Sequence, residues 1–199
     1  MMSREEKKRQ THAKLVESAL AVFSEHGFEH ATVEEITRRA RVAKGTFFNY
    51  FRTKADVLLH VGAVQEAWMA GEIVRLQSSP GTRSDQIIEL MVSAASRLAL
   101  TRPLVRAMFQ ATLQSPEESD IQVAHFHRVG AALISLLEDG RAKGELSLDL
   151  TGEEMALLVM QTYSSALLTW SLSTGTESLA MHVRRTFDAL FDGLRRRKD

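Results

Sequence analysis

Apolar residues recur every three or four positions along almost the whole chain, and no stretch alternates apolar with polar residues as a half-buried strand does. Only three prolines occur, at 80, 103 and 116, so long segments stay free of helix breakers. These two facts predict an all-α fold. Leu15, Ala19, Val22, Phe23 and His26 form one stripe that stops at Gly27, which predicts a first helix over residues 8–26. Thr32 and Glu35 have the spacing of a capping box and open a short second helix over 33–40. After the turn Arg41-Val42-Ala43 a third helix is expected within 44–51, and Thr53 precedes a fourth over 54–78. Further helices are expected over 84–101, 103–113 and 117–143, then from the Thr151/Glu154 capping box to about 173, and over 177–197. The total is about nine.

At 199 residues and 44% hydrophobic the chain can bury a sizeable core. We expect an N-terminal domain over 1–53 and a helical domain over 54–199. The absence of cysteine removes disulfides, thiolate metal sites and cysteine nucleophiles. The first residues are charged without an apolar block, and no apolar run approaches the roughly 18 residues that span a bilayer. A soluble cytoplasmic protein with no membrane partner is the expectation. The formal net charge of zero conceals a division: residues 1–54 hold 11 Lys+Arg against 7 Asp+Glu, and the remainder 14 against 18. A net +4 head and a net −4 body point to phosphates as partners of the head.

The stretch VAKGTFFNYF, residues 42–51, packs four aromatics into a chain that is 7% aromatic. Two short helices joined by a tight turn make a helix-turn-helix, whose second helix can enter the major groove of DNA. Such a helix must bury one face in a small domain, where rings supply the most area per position. Phe47 and Phe51, four apart, share a face and are expected in the core. Thr46, Asn49 and Tyr50 lie elsewhere around the helix, and Gly45 leaves its front bare for close approach of a duplex.

The run TVEEITRRARVAKGTFFNYFRTKADVL, from Thr32 to Leu58, resembles the N-terminal DNA-binding domain of the tetracycline-repressor (TetR) family of bacterial transcriptional regulators. The likeness rests on Thr32, Val42, Gly45-Thr46, the aromatic pair at 47 and 48, Tyr50-Phe51 and Lys54, and covers about residues 10–60. It implies that Lys44, Gly45 and Asn49 touch bases, while Thr32, Thr46, Tyr50 and Lys54 grip phosphates. Three positions depart from the family's pattern. Phe48 stands where tyrosine is common, Ala43 replaces a serine or threonine that would cap the third helix, and Arg41 replaces a turn glycine. Arg41 adds a cation near the groove, and Phe48 stays at the DNA-facing surface. Lys7-Lys8-Arg9 admit two readings, a minor-groove arm or a solvated tail.

In the remainder, Ala180, Val183, Phe187, Leu190 and Leu194 make a seam at spacings of three and four, and Met155, Val159, Tyr163, Ala166, Leu167 and Trp170 line the preceding helix. Either these stripes pack inside one chain or they pair with a second copy. The resemblance implies a homodimer through the last two helices. Trp68, Met69, Met91, Met108, Phe109, Phe126, Met160 and Tyr163 are plain core or the lining of an apolar pocket. The resemblance implies a small-molecule effector that releases a double-stranded DNA operator, with Phe109, Phe126 and Tyr163 as candidate ligand-binding residues.

His125 and His127, two apart on a helix, face different sides and are expected as surface histidines rather than metal ligands. No metal-binding, phosphate-loop or nucleophile-elbow motif occurs, so neither a cofactor nor an enzyme is expected. The rival reading is a helical ligand carrier or enzyme whose N-terminal helices bind a partner other than DNA.

Overall fold

The computed structural model describes residues 3–97, 100–114, 116–147 and 149–194, and among them every regular element is helical. The elements are α1 (Arg4–His26), α2 (Val33–Ala40), α3 (Lys44–Phe48), α4 (Lys54–Gln77), α5 (Arg83–Arg97), α6 (Arg102–Gln114), α7 (Pro116–Ala142), α8 (Gly152–Leu172) and α9 (Leu179–Leu194). The expected fifth helix crosses residues 98 and 99, outside the described set, but does not reach 101: Leu100 and Thr101 are not helical, and Thr101 Oγ1 accepts from Leu104 N–H at the start of α6. The expected end of the ninth at 197 lies outside the described set.

Helices α1, α2 and α8 begin at reciprocal Ser/Thr–Glu capping boxes, in which a hydroxyl and a carboxylate each satisfy an amide that the first turn leaves free, and Thr53 with Asp56 does the same for α4. The Thr32/Glu35 and Thr151/Glu154 boxes stand where the sequence places them. A third, Ser3 with Glu6, starts α1 at Arg4 rather than at residue 8. The chain leaves α1 through Gly27 at φ 77°, a backbone region costly for residues with a side chain.

The chain divides into two compact units, residues 1–62 with 101–121 and residues 63–100 with 122–199. The first unit is centred on Leu15, Ala19, Phe23, Ile36, Phe47, Val57 and Val61, and α6 closes it against α1 with Leu104, Val105 and Ala107. Ser24 and Thr101 share a 2.6 Å hydroxyl contact across these helices.

In the second unit α9 packs on α5 and α8. Val183, Phe187 and Leu194 of the seam are buried there together with Phe191, while Ala180 and Leu190 are half-buried. Other apolar side chains stay outside: Leu157, Leu168 and Leu172 on α8, and Met181 on α9, are all exposed.

Arg83, 5% exposed, is the electrostatic knot of this unit. Its guanidinium donates to Asp139 at 2.5 Å, to the Leu76 and Gln77 carbonyls at 2.7 and 3.1 Å, and to Gln86 Oε1 at 2.7 Å. Its backbone N–H donates to Glu145. A buried guanidinium is tolerated only when its hydrogens find acceptors, and removing it strands those acceptors. Arg83→Met is therefore expected to destabilise the protein by about 3 kcal/mol, read as a lowered urea midpoint.

Candidate nucleic-acid interface

Helices α2 and α3 form the helix-turn-helix. Thr32 serves the cap of α2: its Oγ1 accepts from Glu35 N–H at 3.2 Å and donates to the Glu35 carboxylate at 2.9 Å. That hydrogen bond holds the Glu35 carboxyl below its ordinary range. The turn passes through Arg41 at φ 57°, ψ 46°, the one non-glycine with positive φ among the described residues. Val42 N–H closes the turn on the Thr37 carbonyl at 3.0 Å. The arginine side chain stays exposed beside it.

Helix α3 has no side-chain cap at Ala43 and lasts only five residues, ending at Phe48 with Asn49 as C-cap. The expected extension to residue 51 is not helical. Phe47 is fully buried and Phe51 nearly so, as their spacing requires, whereas Phe48 is 50% exposed. Lys44, Gly45 and Asn49 are exposed, and Thr46 and Tyr50 are half-buried. A Cβ built on Gly45 would meet nothing within 4 Å. The fold does not need that glycine.

Several cations here have partners. Lys44 forms an exposed ion pair with Glu34, which lowers the glutamate's pKa chiefly through that hydrogen bond. Lys54 donates to the carbonyls of Phe28, Glu29 and Ala31 at 2.5, 3.0 and 3.0 Å, and lies 4.7 Å from the Phe28 ring centre. All three ammonium hydrogens are thus taken by the α1–α2 loop.

Behind α3, the His12 ring packs on Tyr50, Phe51 and His60 at 5.7, 5.1 and 4.4 Å, and Tyr50 Oη donates to the Lys8 carbonyl at 3.3 Å. That bond helps form a cleft of about 360 Å³ lined by Arg4, Lys7, Lys8 and Thr11 of α1, Thr46 of α3, and Asn49 and Tyr50 just beyond it. Of the α1 residues, Arg4 and Thr11 are not singled out from sequence although a signal exists. Positions 4, 7, 8 and 11 share one helical face once the Ser3 cap is recognised. Lys7-Lys8-Arg9 are helical, neither an extended arm nor an unstructured tail.

The candidate effector residues are distributed between the units: Phe109, half-buried, in the first, and Phe126, half-buried, with buried Tyr163 in the second. Burial pushes the Tyr163 hydroxyl above its ordinary pKa. His125 corrects an expectation. Its side chain is only 12% exposed, with Nε2 3.6 Å from Glu66, a carboxylate also gripped by Arg128 at 2.5 Å. Among the described residues no three His, Asp or Glu side chains group as metal ligands. No described helix is long and apolar enough to cross a membrane.

A capped helix, a tight turn and a short second helix with an open face define a helix-turn-helix head on an all-helical chain. Residues 15–61, which include the helix-turn-helix, match the bacterial regulatory proteins, tetR family. The regulator TcmR of Streptomyces glaucescens is 40% identical over 73 residues, 36% of this chain and 32% of that one. The match thus spans about a third of that relative's length. The repressor KstR of Mycolicibacterium smegmatis is 25% identical over 166 residues, 83% of this chain and 78% of its own. Among solved structures, Thermus thermophilus FadR, a TetR-family transcriptional repressor in complex with lauroyl-CoA, superposes with a TM-score of 0.67 at 27% identity, covering 94% of this chain and 96% of that one. These relatives are transcriptional regulators.

Two outcomes follow from the local geometry. Ala43→Ser supplies the missing cap and is expected to stabilise the head by about 1 kcal/mol in denaturant unfolding. Burial, and secondarily the charge of His12, hold His60 below its ordinary value of 6.5. The unfolded chain then takes up the proton first, so His60's contribution to stability is complete above that value and is lost as pH falls through the lower, folded one. His60→Gln is expected to flatten this part of the acid-side decline when urea midpoints are compared between about pH 7.5 and 5.

Proposed function

We propose that this chain is a cytoplasmic, homodimeric transcriptional repressor that holds a double-stranded DNA operator and leaves it when a small, largely apolar ligand binds. In this reading residues 1–53 read DNA and 54–199 serve dimerisation and effector binding. The observation that carries it is Gly45, a glycine on an exposed helix front where the fold itself has room for a side chain. Clearance there benefits only something that approaches from outside.

Lys44, Gly45 and Asn49 are assigned to base edges, with Arg41 and Phe48 flanking them. Thr32, Thr46 and Tyr50 are assigned to phosphates. Lys54 serves the phosphates from within, through the loop that it holds and the positive field that it adds. For the dimer, Leu157, Leu168 and Leu172 form one stripe along α8, and exposed Met181 adds apolar surface on α9. Two heads would reach half-sites about 34–36 Å apart. Phe109, Phe126 and Tyr163 are the side chains assigned to the effector. The lauroyl-CoA in the Thermus relative makes a long-chain acyl thioester the first ligand to test.

Titration of sheared duplex DNA at about 50 and 200 mM salt tests the DNA reading, with affinity expected to fall steeply at the higher salt. Binding absent at both would turn the assignment toward the helical carrier. Gly45→Ala is the sharper probe. It is expected to raise thermal stability by up to about 1 kcal/mol because alanine favours helix, while weakening DNA binding by roughly tenfold, about 1.4 kcal/mol. A variant both more stable and equally tight would remove the clearance argument.

A further inference from the structure

We propose that the cleft between the first three turns of α1 and the end of α3 is a phosphate clamp for the DNA backbone, with Arg4, Lys7 and Lys8 as its cations. This rests on the DNA-binding reading and extends it to the first turns of α1, in place of the minor-groove arm that Lys7-Lys8-Arg9 suggest from sequence. The residues recur at 4, 7, 8 and 11, so the α1 wall presents three cations and a threonine on one face. The opposite wall is Thr46 of α3 with Asn49 and Tyr50 just past its end, beside the exposed face of that helix.

The charges in the cleft are available. The side chains of Arg4, Lys7 and Lys8 make no ion pair among the described residues, in contrast to Lys44 with Glu34 and Arg39 with Glu25. The nearby carboxylates do not line the cleft: Glu6 is committed to the Ser3 amide at 2.7 Å, and Glu5 is outside the lining. Hydroxyl protons are less available than charge. Thr11 donates to the Lys7 carbonyl and Tyr50 to the Lys8 carbonyl, so both hydroxyls brace the walls. The clamp is therefore cationic in character, suited to a phosphodiester as a charge rather than to a base edge. A free phosphate offers the same chemistry, but the shared α3 wall favours the duplex that α3 reads.

The test uses the full chain with the DNA that it binds. Replacing Arg4, Lys7 and Lys8 together by alanine is expected to weaken binding at least tenfold and to lower the slope of log affinity against log salt by about two to three units. The ranking of DNA sequences should not change. Arg9→Ala, a cation on the same helix outside the cleft lining, should shift affinity less than twofold, and Arg4→Lys should restore most of that residue's share. Circular dichroism melting should leave the triple variant folded, since these side chains are exposed.

An unchanged salt slope in a folded triple variant overturns the proposal while leaving the DNA reading intact. A wild-type chain that binds no DNA overturns both. Loss of inorganic phosphate binding, followed by amide shifts of Thr46 and Asn49, with unaltered DNA affinity would make the cleft a free-anion site and also overturn the clamp.

Discussion

One ammonium organises the helix-turn-helix head. Lys54 opens α4 and reaches back 23 to 26 residues to three carbonyls in the loop that joins α1 to α2, with the Phe28 ring against it. A loop with free carbonyls that turns toward a core is costly unless donors meet them. A single lysine meets three at once and holds α1, α2 and α4 in register. The orientation of α3 follows, because α3 has nothing rigid of its own to stand on. The arrangement also spends a cation inside the fold. Its field still reaches outward, but direct attraction for phosphate must be carried by other residues.

The charge distribution is consistent with that division of labour. Several of the head's positive charges are already neutralised by surface pairs, Lys44 with Glu34, Arg39 with Glu25 and Arg52 with Asp56. Exposed pairs of this kind contribute only a few tenths of a kcal/mol to about 1 kcal/mol, so exchanging a carboxylate for a phosphate is cheap. The unpaired cations on the first turns of α1 meet no such competition. The net +4 over residues 1–54 therefore understates how unevenly positive the surface is.

What could be read from sequence was what is local. The Thr32/Glu35 and Thr151/Glu154 boxes, the stop at Gly27 and the burial of Phe47 and Phe51 are all encoded within a few residues. The Ser3/Glu6 box is equally local, and it starts α1 early enough to give Arg4, Lys7 and Lys8 a shared face. Other features have no local signal. Backbone carbonyls as partners of Lys54 leave no mark on residue identity. The cleft joins residues about forty positions apart. Periodicity marked Val183 and Phe187 as apolar but not whether their partner lay in the same chain, and α5 fills that role. His125, read as exposed from its neighbours in sequence, is half-buried beside Glu66 on a helix some sixty residues away.

The reading helix is where local preference and tertiary structure disagree most. It is five residues long, uncapped at Ala43, preceded by a left-handed Arg41 and carries Gly45 in its first turn. Each of the last three features costs about 1 kcal/mol, so α3 would not form alone. Burial of Phe47 and Phe51 contributes roughly 1.5–3 kcal/mol apiece and offsets those costs. The helix is thus held by Phe47 within it and by Phe51 just beyond its end, and is oriented by what they pack against, Phe51 on His12 and His60. A helix anchored in this way turns the opposite face, Lys44, Gly45 and Asn49, to solvent in one defined direction. The local features that weaken α3 as a helix, above all the bare front at Gly45, are those that leave this face open to a duplex.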